Sequence, residues 1–263
     1  MIDLNLVLLP LFGLLIGLLV SMFGGGGGGL YVPVLILIFG VTPQVAIATS
    51  LASVLPTSVV SSISHFREGN VDIRTGLILG IGGVVGTLVG AVIANLIPPV
   101  LLEKIMGIFT LIMLIPMLRS LVQRQQKMKE LNGENQEKTT LKGPKRAVAS
   151  LFGVASGLLA GVFGISGTPP IIAGLYSLGL PALMVVGTSV FVLIFNSLAG
   201  IGGFYLLGRL NLTLIILLGG SAAVGAFIGP LLLKKINPNT FEKIYGPVIM
   251  GTMIIFALGL IIA

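Results

Sequence analysis

The sequence predicts an all-α fold: a polytopic transmembrane helical bundle of about eight full spans and two short half-helical or re-entrant segments. Of its 263 residues, 55% are hydrophobic and only 9% are charged, whereas soluble domains carry about 25% charged residues. Several apolar stretches reach the roughly 20 residues with which a helix crosses a bilayer. Alternating strands of about ten residues, which build membrane barrels, do not occur.

Eight apolar stretches are long enough to span a membrane, and each is expected to form one helix. They are residues 4–23, 43–66, 73–97, 100–120, 145–163, 181–206, 211–233 and 238–262. The first has no basic segment before it and no small-residue cleavage site after it, so we expect a retained span. Two apolar pieces, 30–39 and 169–179, are too short to cross alone. Pieces of this length are commonly re-entrant or half-helical.

One long polar stretch, residues 121–144, divides the chain. Eight of the fifteen Lys and Arg residues lie in it or beside it, together with three Glu residues. This composition favours a solvated cytoplasmic loop that follows the positive-inside rule over a nucleic-acid site. The predicted organisation is a first transmembrane repeat (1–120), a cytoplasmic basic linker (121–144) that begins as a helical extension, and a second transmembrane repeat (145–263).

The two halves are related by an internal repeat. FGLLIGLLVSMFG at 12–24 aligns with FGVASGLLAGVFG at 152–164, an offset of 140, and from Gly40 onward the offset is 139. The first half therefore has one extra residue between positions 25 and 39, which we place in the run of six glycines. Membrane proteins built from two repeats are typically transporters with a substrate site at the repeat interface.

Whether the two halves are parallel or inverted depends on whether each half crosses the membrane an even or an odd number of times. The sequence leaves this number open. With four spans per half, the linker, the loops 67–72 and 207–211 and both termini share the cytoplasmic face, with eleven basic residues inside and four outside. If the short segments cross as half-helices, each half is odd-numbered and the two halves are inverted.

The predicted spans hold neutral hydrogen-bonding side chains in place of charges. All eight carboxylates fall at span ends or in loops, whereas proton pumps and cation porters usually carry one inside a span. The pairs Thr49-Ser50 and Thr188-Ser189 match across the repeats, and Asn196 follows in the second half. Such side chains also pack close helices and bond back to their own backbone, so both roles stay open.

Two glycine-containing breaks interrupt apolar runs: FGGGGGGLYVP at 23–33 and GISGTPPII at 164–172. Glycines can turn successive N–H groups to one side as an anion-binding nest, and a helix starting there adds the positive end of its dipole. Close packing or a hinge is the alternative role. The predicted substrate-binding residues are Gly25, Gly26, Gly27, Gly28, Thr49, Ser50, Ser166, Gly167, Thr168, Thr188, Ser189 and Asn196.

His65 is the only histidine, in HFREGNVDIRTG, and its repeat counterpart is Phe204. Together with Arg67 it is a candidate for a proton-sensitive gate or an anion contact. The alternative is an interfacial polar residue that packs the loop. With one histidine and no cysteine, no metal, cofactor or thiol chemistry is expected.

Taken together, these segments resemble the sulfite exporter TauE/SafE family of membrane proteins. The resemblance lies in GGGGGGLYVPVLILIFGVTPQVAIATSL, in HFREGNVDIRTGLILGIGGVVGTLVGA and in FGISGTPPIIAGLYSLGLPALMVVGTSVFVLIFNSLAG. It implies a prokaryotic plasma-membrane permease for small sulfur-containing or organic anions such as sulfite, thiosulfate or sulfonates. Export is the direction assigned to several members, and others are linked to uptake. FGISGTPP departs from the denser glycine cluster of many members, so the two breaks need not contact substrate equally.

The sequence thus predicts a secondary anion transporter that works by alternating access, with substrate between the two glycine breaks. Its expected partners are the small anion, the lipid bilayer and a coupling ion such as the proton, with no nucleic acid. Its oligomeric state stays open. The alternatives are a passive anion channel or a non-transporting assembly partner. A membrane enzyme is not expected, because His65 has no evident partner for nucleophilic chemistry.

Overall fold

The computed structural model is all-α, as the sequence predicts. It describes residues 4–21, 28–130, 145–165, 167–233 and 238–262, and among these no residue is in a strand. A π-helical turn (Ile215–Gly219) joins α9 to α10. The helices are α1 (Leu4–Ser21), α2 (Gly28–Leu37), α3 (Pro43–Arg67), α4 (Ile73–Leu96), α5 (Pro99–Glu130), α6 (Lys145–Phe163), α7 (Thr168–Ser177), α8 (Ala182–Leu206), α9 (Leu212–Leu214), α10 (Gly220–Leu233) and α11 (Pro238–Ile262).

Helices cover each of the eight stretches that the sequence predicts to span. Four helical segments of the described chain are long and apolar enough to cross a membrane: Pro43–Arg67, Ile73–Leu96, Leu183–Leu206 and Leu212–Gly229. The short segments α2 and α7 have ten residues each. At 1.5 Å per residue each is about 15 Å long, half of a hydrocarbon core of about 30 Å. The total number of crossings stays a prediction.

The extra residue of the first half lies after α2. α2 and α7 begin and end at a common offset of 140, whereas α3 and α8 do so at 139. α7 closes with the N–H of Leu180 on the carbonyl of Leu175, while α2 closes with the N–H of Val41 on the carbonyl of Leu35, one residue further back. The extra residue therefore widens the C-terminal turn of α2, and our placement of it in the glycine run is wrong.

Facing rows of glycine bring α4 and α6 into backbone contact. A Cβ built on any of these residues would meet backbone atoms of the other helix, as at Gly82, where the carbonyl of Ser150 is 2.7 Å away. Spacing small residues four apart lets membrane helices approach this closely. α1 and α10 form the corresponding pair, through Gly17 and Gly225. The glycines are Gly82, Gly86 and Gly90 on α4 and Gly153, Gly157 and Gly161 on α6.

Contacts between α3 and α8 show that these counterparts run antiparallel. Gly187, near the start of α8, lies against His65 near the end of α3, and Gly200 lies against Leu51 in the first half of α3. In contrast, α4 and α6 run parallel, because successive glycines of one meet successive residues of the other. By the same reasoning α1 runs parallel to α10. The two halves are therefore inverted relative to each other in the structure.

Each short helix reverses the direction of the helix before it. Gly167 at the start of α7 lies against Ser156 in the middle of α6, and Gly174 further along α7 lies against Phe152, nearer the start of α6. α6 and α7 thus form a re-entrant pair that returns toward its starting face. α2 likewise runs parallel to α11, with Gly29 beside Met253 and Gly259 beside Leu37.

These directions assign each helix end to one of two faces. The linker face is where α3, α5 and α10 end and α6 begins; the terminal face is where α1 begins and α4, α8 and α11 end. Two contacts at the end of α4 support this assignment. Gln44 Nε2, at the start of α3, donates to the carbonyl of Ile97 at 3.1 Å, and Arg209 Nε, after α8, donates to Asn95 Oδ1 at 2.8 Å.

The assignment corrects two expectations that rest on four spans per half. The loop 207–211 and the loop 67–72 lie at opposite faces. The end of α5 and the start of α6, which flank the linker, lie at the face opposite to the start of α1 and the end of α11. The physical reason is that α2 and α7 turn back against α1 and α6, so three helical segments of each half pass between the two faces: α3, α4 and α5, and α8, α9–α10 and α11.

Candidate functional site

Buried hydroxyl and amide side chains line the central helices α3 and α8. Many of these hydroxyls bond back to their own helix, as Ser53 does to the carbonyl of Thr49 at 2.8 Å and Thr57 does to that of Val54 at 2.8 Å. This is the ordinary way to satisfy a hydroxyl inside a helix. The informative side chains are those that bond elsewhere or not at all. The buried set is Gln44, Thr49, Ser50, Ser53, Thr57, Ser58, Ser62, Thr188, Ser189, Asn196 and Ser197.

Ser50 joins α3 to the glycine break of the other half. Its Oγ donates to the carbonyl of Gly164, 2.9 Å away and 114 residues later in the chain. Gly164 has φ +65°, and a Cβ there would lie 2.7 Å from the Val32 side chain and 3.0 Å from Ile47 Cα. Only glycine fits this position. The Thr49-Ser50 pair of the first half therefore contacts the glycine break of the second half, at Gly164.

Asn196 of α8 lies at the centre of a second contact, in which α4, α6 and α8 meet the second glycine break. Its Nδ2 donates to Ser156 Oγ at 3.1 Å. Gly167, with φ +64°, packs on the carbonyl and hydroxyl of Ser156, and Gly83 of α4 packs on Asn196 Oδ1. We call Gly83, Ser156, Gly167 and Asn196 the amide cluster. Asn196 Oδ1 has no hydrogen-bond partner in the described chain.

Three buried hydroxyls likewise lack a partner among the described residues: Tyr31 in the first turn of α2, Thr49 on α3 and Ser197 on α8. Each of these side chains has 0% of its surface exposed. Leaving a buried polar group unpaired costs about 1–3 kcal/mol. Buried groups without partners are therefore the places where a bound polar molecule gains most from hydrogen bonding.

The structure separates the two Thr-Ser pairs. Because α3 and α8 are antiparallel, Thr49 and Ser50 lie toward the terminal face, whereas Thr188 and Ser189 lie toward the linker face. Thr188 Oγ1 accepts from the N–H of Asp72 at 3.0 Å, and Ser189 Oγ donates to the carbonyl of Val186 at 3.0 Å. The matched pairs therefore do not form one cluster.

The second break offers fewer backbone donors than a nest. The N–H of Gly164 donates to the carbonyl of Ala160 at 2.8 Å, and that of Gly167 donates to the carbonyl of Ile165. Thr168 begins α7 and is followed by Pro169 and Pro170, which have no N–H. Polar atoms at this break come mainly from side chains of α6 and α8. Gly25, Gly26, Gly27 and Ser166 lie outside the described residues, and Gly28 begins α2.

His65 and Arg67 lie at the linker face, away from the amide cluster. The His65 Cβ packs 3.1 Å from the Cβ position of Gly187, and His65 Nδ1 has no partner in the described chain. Arg67 is exposed. Within the described ranges, no three His, Cys, Asp or Glu side chains come together as metal ligands.

The sequence of the chain matches a known family. A family model described as sulfite exporter TauE/SafE matches residues 9–256. The chain belongs to the TauE/SafE family. Thus the resemblance seen in its glycine breaks, its ATS and GTS segments and its HFREGNVD loop is confirmed.

Relatives of this TauE/SafE protein occur in bacteria, archaea and plants. The probable membrane transporter protein YdhB of Bacillus subtilis is 32% identical over 95% of this chain and 100% of its own length. A probable membrane transporter protein of Methanocaldococcus jannaschii is 29% identical over 96% of each chain. Sulfite exporter TauE/SafE family protein 1 of Arabidopsis thaliana is 36% identical over 35% of this chain and 20% of its own. No solved structure matches the chain.

Sequence reasoning missed three polar side chains of this TauE/SafE protein's candidate site: Ser156, Ser197 and Tyr31. The signal for Ser156 is its counterpart at an offset of 140, Ile16, because a polar residue on one half alone cannot be explained by the repeat. Tyr31 follows the glycines within an apolar run and carries no comparable signal.

Proposed function

We propose that this TauE/SafE family protein is a secondary transporter that exports small sulfur-containing or organic anions, such as sulfite, thiosulfate or sulfonates, by alternating access. Family membership and the names of the relatives support membrane transport. The observation that supports an anionic substrate is the set of buried, unpartnered hydroxyls of Tyr31, Thr49 and Ser197, together with the neutral amide of Asn196. Every buried polar side chain of the described residues is uncharged.

Neutral donors suit a carrier for anions. An O–H dipole directed at an anion in apolar surroundings binds it strongly enough for recognition, because the local dielectric constant is low. A buried Lys or Arg would bind more tightly and would itself be costly in the membrane. Thr49, Ser197 and Tyr31 each have a proton without an acceptor. Rotating the Asn196 amide by 180° would expose its Nδ2 donor and let Oδ1 accept from Ser156.

We infer that the halves are inverted repeats that exchange between inward- and outward-facing states. Equal helix bounds at offsets of 140 for α2 and α7 and 139 for α3 and α8 support the duplication. The antiparallel packing of α3 and α8 supports the inversion. Inverted repeats commonly alternate access by rocking one set of helices against the other around a central site. The substrate would bind between the two breaks, with Ser50 and the amide cluster at the second one.

Charge supports an orientation with the linker face in the cytoplasm of a prokaryotic cell. Lys104 and Arg209 are the basic residues of segments at the terminal face, and the remaining thirteen of the fifteen belong to segments at the linker face. With four spans in each half, eleven basic residues would lie at one face and four at the other, so the distribution of thirteen and two is more asymmetric. Cytoplasmic loops carry the excess of Lys and Arg, so the odd-numbered topology satisfies the rule better.

Flux of isotopically labelled sulfite from proteoliposomes tests the proposal. Thr49→Val keeps the shape of a buried side chain and removes one donor, and a hydrogen bond to a charged group contributes about 1.5–3 kcal/mol. We expect the flux of Thr49→Val at low sulfite to fall about tenfold or more. The matched control is Thr110→Val on α5, whose hydroxyl bonds its own helix at 2.8 Å.

Three outcomes would contradict the proposal. Flux that does not saturate with sulfite concentration would indicate a passive channel. Absence of flux for sulfite, thiosulfate and sulfonates alike would favour an assembly partner. Full flux in folded Thr49→Val would remove this residue from the site. A pH gradient and an imposed potential, applied separately, identify the coupling, for which His65 is the candidate proton acceptor.

A further inference from the structure

An apolar groove of about 220 Å³ lies where α3 and α8 meet near the linker face. It is lined by Val59, Ser62, Ile63, Phe66, Phe191 and Ile194. The α3 residues are spaced three and four apart, so they share one side of the helix. Ile63 and Phe66 each keep 50% of their surface exposed. The groove is therefore open to the bilayer and separate from the proposed substrate site.

Two arginines lie at the linker-face end of this groove. Arg67 follows Phe66 and lies one turn beyond Ile63 on α3. Arg74 lies in the first turn of α4, two residues before Gly76, whose Cβ position is 2.6 Å from the ring of Phe191. Both arginines are exposed. The groove thus joins an apolar lining to two cationic groups at the level where lipid headgroups lie.

The carboxylates nearest to the two arginines have other partners. Glu68 Oε2 accepts from Asn70 Nδ2 at 3.1 Å. Asp72 caps α4: its Oδ1 accepts from the backbone N–H groups of Arg74 and Thr75, and its Oδ2 accepts from Thr75 Oγ1. Neither guanidinium group has an ion-pair partner in the part of the chain that the structure describes. Both are available to an external anion.

We propose that this groove binds one anionic phospholipid, with an acyl chain along the apolar lining and the phosphate at Arg67 and Arg74. Small-molecule sites usually measure about 300–1,000 Å³, so the groove suits part of a slender chain whose remainder stays in the bilayer. Arg binds phosphate through paired hydrogen bonds. Basic pockets between membrane helices on the cytoplasmic side bind anionic headgroups in this manner.

Such a lipid would bridge three helices at one face. It would contact the end of α3, the start of α4 and the first half of α8, which also meet where Thr188 accepts from Asp72. Binding there stabilises the arrangement in which these three helices are together. The bound lipid would therefore favour the conformation seen in the structure over one in which the linker face opens.

Native mass spectrometry of the full chain in detergent tests the proposal, with phosphatidylglycerol and phosphatidylcholine of identical acyl chains as probes. We expect one phosphatidylglycerol to be retained per chain, about tenfold more than phosphatidylcholine. Arg67→Gln combined with Arg74→Gln should reduce its retention to the phosphatidylcholine level. Lys104→Gln, which removes an exposed charge at the terminal face, is the matched control and should retain the lipid.

Groove-filling variants test the apolar half of the site. Ile63→Trp and, from the other helix, Ile194→Phe should each lower phosphatidylglycerol retention about tenfold with both arginines present. Equal retention of the two lipids, or full retention in the double arginine variant, would overturn the proposal. So would dimers that disappear with Ile63→Trp, because the groove would then receive a second copy. Complete displacement of the lipid by millimolar inorganic phosphate would assign the arginines to free phosphate.

Discussion

Thr188 and Asp72 form a hydrogen bond between the two halves that the repeat does not reproduce. The backbone N–H of Asp72 donates to Thr188 Oγ1 at 3.0 Å, joining the start of α8 to the turn between α3 and α4. The counterpart of Thr188 is Thr49, whose buried hydroxyl has no partner in the described chain. The counterpart of Asp72 is Asn211, which caps its own helix at the N–H of Leu214. One face therefore has a bond that the other lacks.

This asymmetry predicts opposite effects for two matched substitutions. Thr188→Val leaves the partly buried N–H of Asp72 without this partner and should lower the free energy of unfolding by about 1 kcal/mol. Thr49→Val removes a buried hydroxyl that has no partner in the described chain, so it should raise the free energy of unfolding by up to about 1–3 kcal/mol. Thermal unfolding in detergent, followed by circular dichroism at a helix wavelength, measures both. Equal destabilisation would show that the Thr188 bond contributes nothing.

The amide cluster predicts a charge effect that does not depend on shape. Asn196→Asp keeps the volume of the side chain but replaces the Nδ2 donor beside Ser156 with a carboxyl oxygen, which removes a hydrogen bond to the anion and repels the anion when it is ionised. We expect sulfite flux to fall at least tenfold while the protein stays folded. The matched control is Asn95→Asp, which faces Arg209 Nε at 2.8 Å and should leave flux unchanged. Normal flux in Asn196→Asp would exclude the cluster from the substrate path.

Much of the fold follows from the sequence because its determinants are local. Apolar length sets where the helices lie, and polar or glycine turns set where they end, as at Gly69 and Gly208 with φ near +70°. The position of the extra residue does not follow from the sequence. An alignment places it anywhere between 25 and 39, whereas the hydrogen bond from Val41 to Leu35 locates it at the end of α2.

The candidate site was less predictable because it depends on contacts between distant segments. The repeat pairs Thr49 with Thr188, and this match suggested that both residues line the same substrate site. Inversion puts these two residues at opposite faces. It also brings Ser50 to Gly164, 114 residues away, which neither composition nor spacing indicates. The halves are inverted when an odd number of helical segments in each half passes between the two faces. This number depends on whether the short helix of each half turns back, which the sequence does not show.

The glycine rows predict a sharp contrast between two similar substitutions. Gly157→Ala places a methyl group on the backbone carbonyl of Gly83 and forces α4 and α6 apart, so most of the protein should fail to elute as a folded species in size-exclusion chromatography. Gly251→Ala in α11 has open space around its Cβ position. It should be neutral or stabilise by up to about 1 kcal/mol, because Ala favours a helix over Gly. Normal folding of Gly157→Ala would contradict the close contact.

The odd-numbered topology predicts that a thiol reagent reaches the loops 67–72 and 207–211 from opposite sides of the membrane. The chain contains no cysteine, so single cysteines report position without background. Glu68→Cys and Thr213→Cys replace exposed residues beside the loops 67–72 and 207–211. We expect an impermeant maleimide added to intact cells to label Thr213→Cys, whereas Glu68→Cys should react only after the cells are opened. Four spans per half would place both at the same face, so equal labelling would contradict the inversion. A third variant, Gly133→Cys in the linker, should behave as Glu68→Cys does, because the linker joins the end of α5 to the start of α6 and both of these helix ends lie at the linker face.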